Sequence, residues 1–357
     1  MSRILVLLEL RGGNDGLNTV VPFADRRYRE LRPGIAVPRE RVLPLDEKVG
    51  LHEKLEPLME SWKARDLAIV QGVGYPNPNR SHFRSIEIWD TASEASQTLN
   101  DGWIARTFEK VARPQGAGVD CVVADTNVLP SAGTALRTIV MSSADKFLEQ
   151  ADKNRATAMG KSPNMALKYI LSVRNEVNAA ASGLRDLLRD APEPKTPYGN
   201  IGVLGPQLDL ATRLLVAKVP LVAIKVAMTG FDTHTAQAGL HERLLNQLAI
   251  GLATFRSNLI AANVWGGVAV MTYSEFGRRA QENANGGTDH GTAAPLFVLG
   301  GGIKGGLHGA QPSLSDLQDG DLKHAVDFRS VYGAVAQGCW GLARDYGLRQ
   351  GRPLGLF

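Results

Sequence analysis

The chain has 357 residues and almost no cysteine: Cys121 and Cys339 lie 218 positions apart and form no CxxC pair. That excludes a disulfide framework and a thiolate zinc site, and it leaves the compartment open. No apolar run reaches the roughly 18 to 20 residues a membrane helix needs. No basic run is long enough for a nucleic-acid track, and 40 Lys+Arg against 36 Asp+Glu leave a net charge of only +4. Neither a nucleic acid nor a membrane is therefore expected as a partner. No secretory leader is read in the first residues, where Met1-Ser2-Arg3 runs straight into the short apolar stretch Ile4 to Leu8. As written, the chain is expected in the cytoplasm. What is present is a globular balance: 44% hydrophobic and 21% charged residues, with 38 Gly and 18 Pro for turns.

Short apolar runs recur at Ile4 to Leu10, Leu67 to Val73, Val119 to Ala124, Thr138 to Met141, Leu221 to Ala227, Val268 to Thr272 and Leu296 to Leu299. Nearly continuous rather than alternating, they predict strands buried on both faces, as in a parallel sheet. Helical spacing separates most of them, around Leu55 to Ala64, Ser81 to Ala92, Pro206 to Ala217 and Leu240 to Ala262. Strand then helix, repeated, predicts a doubly wound α/β fold, a mostly parallel sheet sandwiched by helices. The whole span 1–357 is expected as a single domain, with a helical insertion at about 143–190 closed by three prolines between Pro192 and Pro197.

In such sheets ligands bind beyond the carboxyl ends of the strands. After the first run comes Arg11-Gly12-Gly13-Asn14-Asp15-Gly16, which does not fit G-x-G-x-x-G and makes a nucleotide site the weaker alternative to Asp15 as a cation ligand. After the second come Arg80-Ser81-His82 and an amphipathic helix. Ser81 stands where a helix cap stands, and equally where a nucleophile would sit beside an anion-binding helix start. After the fifth come Asp232-Thr233-His234, whose extended spacing puts both side chains on one side as a chelate requires, with His241 seven residues on. After the sixth come Ser274-Glu275-Phe276-Gly277-Arg278, where Glu275 is a ligand candidate or a partner of Arg278, and Asp289-His290 precede the last run. Four of the seven histidines thus fall at one predicted sheet edge.

In this order the motifs resemble the alkaline-phosphatase-like superfamily of phosphatases, sulfatases and phosphoglycerate mutases. More closely, Arg11 to Thr19, Arg80 to Phe83, Gly230 to His234, Ser274 to Arg278 and Thr288 to Gly291 resemble the bacterial family called domain of unknown function 1501. The resemblance implies an alkaline-phosphatase-like fold and a metal-dependent hydrolase of phosphate or sulfate esters acting on a small anionic ester. Ser81 would be the nucleophile, with Arg80 and His82 as catalytic neighbours. Asp15, Asp232, His234, Glu275, Asp289 and His290 would supply the metal positions. Zinc suits His and Asp ligands best, and manganese or calcium suits a site where carboxylate oxygens dominate.

Two features depart from that pattern. Phe276 stands where the superfamily's usual Asp-His pair has a ligating histidine, and Asp232-x-His234 is shorter than the commoner Asp-x-x-x-His, which keeps His241 in competition. The first favours the alternative of a non-catalytic metal- or ligand-binding protein with a degenerate second metal site. A nicotinamide or flavin oxidoreductase rests on glycine-rich strand ends alone. Members of the family usually carry a twin-arginine export leader, so a periplasmic location is expected if such a leader precedes this chain.

Overall fold

The computed structural model describes residues 3–109, 111–113, 118–153, 164–189, 191–342 and 354–357. The apolar runs form strands of one sheet: β1 Ile4–Arg11, β2 Leu67–Gly74, β3 Cys121–Val123, β4 Thr138–Val140, β5 Ala223–Thr229, β6 Val268–Tyr273, β7 Ala294–Leu299, β8 Gly306–Gly309 and β9 Val326–Asp327. Their order is β8-β2-β7-β6-β1-β5-β3-β4, with β9 also on β2. β1 lies at the centre, parallel to β5 and β6, so that Leu5 stands opposite both Ala223 and Ala269. β3 runs parallel to β5 and β4, and β8 and β9 run parallel to β2. Only β7 is reversed among the strands of this sheet, antiparallel to both β6 and β2.

The uninterrupted hydrophobicity of β1 follows from its two covered faces. Successive side chains point to opposite sides: Val6, Leu8 and Leu10 enter one core, Leu5 and Leu7 the other. The first core is closed by helices Leu204–Val216 and Gln237–Ala261, through residues such as Leu208, Leu248 and Phe255. The second is closed by helices His82–Thr91 and Phe328–Trp340, through Ile88, Trp89, Val331 and Tyr332. This is the doubly wound, mostly parallel α/β sandwich that strand–helix alternation predicts.

Two further helices, Ala144–Lys153 and Met165–Arg189, occupy the predicted helical span, and residues 154–163 and 190 of that span lie outside the described residues. The longer one lays Ala180 and Leu184 onto the first core. Among the described residues, no helix is long and apolar enough to cross a membrane.

Candidate metal centre

Parallel strands carry their carboxyl ends to one edge, and the reversal of β7 brings its amino end to that same edge. The segments Gly12 to Asp15, Arg80 to His82, Asp232 to His234, Ser274 to Arg278 and Asp289 to His290 therefore meet there. The glycine turn after β1 serves close approach. A Cβ on Gly12 (φ 117°) would lie 2.3 Å from the Asp232 nitrogen, and one on Gly13 (φ 82°) 2.5 Å from the Phe276 ring. Any side chain would push these loops apart.

Three histidines converge on Asp232. His234 Nε2 lies 3.0 Å from Asp232 Oδ1, His290 Nε2 lies 3.1 Å from the same oxygen, and the two Nε2 atoms are 3.0 Å apart. His82 Nε2 stands on the other side, 3.5 Å from Asp232 Oδ2. Donor atoms of His82, Asp232 and His290 all fall within 4.8 Å of one another. Each histidine turns its other nitrogen to an oxygen. His82 Nδ1 is 2.8 Å from Glu275 Oε1, His290 Nδ1 is 2.8 Å from the Arg80 carbonyl, and His234 Nδ1 is 3.4 Å from Asp289 Oδ1.

An oxygen acceptor at Nδ1 assigns the proton to that nitrogen and leaves the Nε2 lone pair facing Asp232. Three such lone pairs beside a carboxylate repel unless a cation sits among them. The donor set of two or three imidazoles and one carboxylate fits a divalent ion, zinc by donor type. Ligands on a tetrahedral zinc at about 2.0–2.1 Å are about 3.3 Å apart, so the triangle of Asp232, His234 and His290 needs to open by only about 0.3 Å.

The neighbours set the charge. Burial works against ionising Asp232, but the hydrogen bond and charge of the Arg278 guanidinium outweigh it and hold the carboxyl at about 2. The Glu275 carboxylate bonded to His82 raises that imidazole's pKa above its ordinary value, despite partial burial. Phe276 cannot ligate, and its buried ring stands as a wall: its centroid is 4.4 Å from that of His290 and 4.9 Å from that of His82.

The other predicted site residues sort by what they touch. Glu275 and Asp289 stand behind histidines rather than inside the cluster, and Glu275 Oε1 also accepts from the Gly12 N–H at 2.8 Å. Its expected pairing with Arg278 is replaced, since Arg278 bonds Asp232 instead. Asp15 is not brought into the cluster. It is fully buried, with Arg32 Nη1 2.6 Å from Oδ2 and the Gln237 amide donating to the same oxygen. Burial would raise its pKa, but the charges of Arg32 and His241 lower it below the usual range.

His241 lies below, its Nε2 2.9 Å from Asn14 Oδ1, and burial depresses it to about 4. Arg80 holds His290 with its carbonyl while its guanidinium pairs with Asp321. Ser81 is exposed at the start of the His82–Thr91 helix, where its hydroxyl makes no capping bond.

Two arginines organise the site: Arg278, which ends the strand-end motif Ser274 to Arg278, and Arg32, which has no local sequence signal. Arg278, fully buried, donates to the carbonyls of Gly12, Gly13 (2.7 Å), Thr288 (2.8 Å) and Phe231 (2.9 Å) and to Asp232 Oδ1 (2.8 Å), tying its own β6–β7 connection to the loops after β1 and β5. Arg32 does the same for the Asp15 side, reaching also the carbonyls of Ala280 at 2.9 Å and Arg279 at 2.8 Å. In the sequence, Arg32 does not stand out from the other arginines, and the motif that holds Arg278 does not show which loops it joins.

Residues 46–330 match the family described as "Protein of unknown function (DUF1501)". No curated protein matches the chain. Among solved structures, the chain is similar to a protein in the alkaline phosphatase superfamily from Vibrio parahaemolyticus, with 10% identity, TM-score 0.42, and 99% of this chain and 69% of that one covered. It is also similar to the C-terminal periplasmic domain of EptC from Escherichia coli (10% identity, TM-score 0.42, 99% and 87% covered). A third is the phosphonoacetate hydrolase of Sinorhizobium meliloti 1021 (15% identity, TM-score 0.32, 78% and 57% covered).

Proposed function

The chain belongs to the DUF1501 family, and from that premise we propose that it is an alkaline-phosphatase-like, metal-dependent hydrolase of phosphate or sulfate esters with Ser81 as nucleophile. The observation that carries the reading is the shared polarity of His82, His234 and His290: every Nδ1 faces an oxygen and every Nε2 faces Asp232.

Asp232, His234 and His290 would hold the ion through one triangle on Oδ1. A divalent cation bound there supplies Lewis-acid polarisation of a phosphoryl or sulfuryl oxygen. His82, on the opposite oxygen and anchored by Glu275, would stand beside Ser81 to receive its proton at Nε2. The Ser81 oxygen bonds to phosphorus or sulfur, the alcohol leaves with a proton, and water then cleaves the seryl ester. Arg80 would orient the anion. The substrate is a small anionic ester held by local charge, which needs no basic surface.

Elemental analysis of protein loaded with zinc or manganese tests this directly. About one ion per chain is expected, lost in His234→Ala and His290→Ala. Ser81→Ala is expected to keep the ion and lose cleavage of 4-nitrophenyl phosphate or sulfate. Absence of both metal and cleavage in the unmodified protein overturns the reading. A second reading, a non-catalytic metal- or ligand-binding protein, is favoured by the closure of Asp15 under Arg32 and Gln237. Metal retained without ester cleavage would decide for it.

A further inference from the structure

The turn that carries Ser81 runs over the surface: Pro76, Asn77 and Pro78 are exposed, and so is Ser81 at its end. A buried residue at its start ties it down. Tyr75 follows β2 directly, is 3% exposed and sets its ring edge-on against Phe328, centroids 5.8 Å apart. Its hydroxyl stands between two segments of the candidate site. On one side it accepts from the Asn79 N–H at 3.0 Å, and the Asn79 side chain in turn accepts from the Ser81 N–H at 2.8 Å. On the other it lies 2.8 Å from the hydroxyl of buried Ser85, which donates to the Glu275 carbonyl.

The ends of this chain assign every proton in it. An amide N–H only donates and a carbonyl only accepts, so the Ser85 proton goes to Glu275 and the Tyr75 proton goes to Ser85. Burial raises the Tyr75 phenol above its ordinary value, against the bond from Ser85, so the phenol stays protonated. The Asn79 carbonyl, 3.4 Å from the phenol, is the more distant acceptor. All bonds therefore point one way, from the Asn79 N–H through Tyr75 and Ser85 to Glu275, and such bonds reinforce one another. One end holds the backbone of Ser81, whose own hydroxyl makes no capping bond. The other holds the backbone of Glu275, whose carboxylate lies 2.8 Å from His82 Nδ1.

We propose that Tyr75 is a positioning residue, whose hydroxyl fixes the Ser81 turn against the segment that carries Glu275 and orients His82. Its place in a reaction rests on the reading of Ser81 as nucleophile, whereas the tie itself does not.

Tyr75→Phe removes one oxygen and keeps the ring, and Ser85→Ala cuts the same chain one step further on. In cleavage of 4-nitrophenyl phosphate or sulfate by the metal-loaded protein, kcat is expected to fall about tenfold in each, with KM and metal content changed by less than about twofold. The double variant is expected to be no slower than the slower single one, because both changes break one chain. An unchanged kcat in Tyr75→Phe, or losses that multiply in the double variant, overturns the proposal and leaves the hydrolase reading intact. Loss of metal together with kcat makes Tyr75 a general support of the site and overturns it as well.

Amide hydrogen exchange of the metal-loaded protein needs no cleavage. In Tyr75→Phe the N–H groups of Asn79 and Ser81 are expected to exchange about tenfold faster, while those of Ile88 and Trp89 in the following helix keep their rates. Unchanged exchange at Asn79 and Ser81, or faster exchange along the whole helix, overturns the proposal. Faster exchange confined to Asn79 and Ser81 in a protein that cleaves no ester supports the tie while the nucleophile reading falls.

Discussion

Two aspartates stand at ends of adjacent parallel strands, and the molecule treats them in opposite ways. Asp232, after β5, is 47% exposed and ringed by imidazole nitrogens whose lone pairs face it. Asp15, after β1, is 0% exposed and sealed by a guanidinium and an amide. A strand-end carboxylate is thus not a ligand by position alone. Each carries a buried guanidinium, Arg32 on Asp15 and Arg278 on Asp232; the difference lies in what else surrounds them, a sealed pocket closed by the Gln237 amide at Asp15 and three imidazoles at a half-exposed Asp232.

The comparison can be broken from the buried side first. Arg32→Ala leaves Asp15 an uncompensated buried charge, and urea unfolding should record a loss of about 3–5 kcal/mol. Only part of that should return in Arg32→Met with Asp15→Leu, because the uncompensated charge is gone but the Ala280 and Arg279 carbonyls and the Gln237 amide lose their partners. Metal content should be unaffected by the double change, and a fall would mean that Asp15 serves the ion after all.

Next comes acid. His241 in the unfolded chain titrates near 6.5, and in the native protein burial holds it at about 4. Above pH 6.5 neither state is protonated. As pH falls from 6.5 towards 4 only the unfolded chain gains the proton, so stability drops by on the order of 2–3 kcal/mol. Urea midpoints at pH 7 and pH 4.5 should separate in the unmodified protein more than in His241→Asn.

Behind the exposed cluster the effects shift from stability to affinity. Glu275→Gln removes the carboxylate that orients His82, and Asp289→Asn the one behind His234. Asp289→Asn should weaken metal binding by about tenfold, about 1.4 kcal/mol, in chelator competition, whereas Glu275→Gln should spare the ion and lower ester cleavage. An unchanged affinity in Asp289→Asn would mean that His234 is held by its own loop. Smallest of all is the stability of metal-free His234→Ala, expected within about 0.5–1 kcal/mol of the unmodified apoprotein because the side chain is 41% exposed. A large loss there would make the cluster a structural element and not a site.

Much of the fold is legible along the chain. All seven apolar runs are strands, and the helix spacing at Ser81 to Ala92 and Leu240 to Ala262 locates helices to within a few residues. The reversal of β7 is not legible, because a buried run reads the same in either direction. The two-residue strand Val326–Asp327 is too short for periodicity, and the four-residue strand Gly306–Gly309 is short and half glycine. The helix Phe328–Trp340 did carry a signal, with Asp327 capping Arg329 at its start and Gly341 in the left-handed conformation at its end. In the site, the segment carrying Ser81 and His82 and the pairs Asp232/His234 and Asp289/His290 are marked by residue type at strand ends. The division between residues facing the cluster and those behind it is not.

The sequence by itself determined where strands end and which polar residues lie there, because hydrophobic periodicity and turn chemistry are local. Only the tertiary structure decided the fate of each charge. Asp15 meets Gln237 from 222 positions away, Asp232 meets Arg278 from 46, and His82 meets Glu275 from 193. Whether a carboxylate becomes a buried ion pair, a histidine's anchor or a half-exposed acceptor depends on the partner that folding brings against it, and that partner comes from a separate helix or loop.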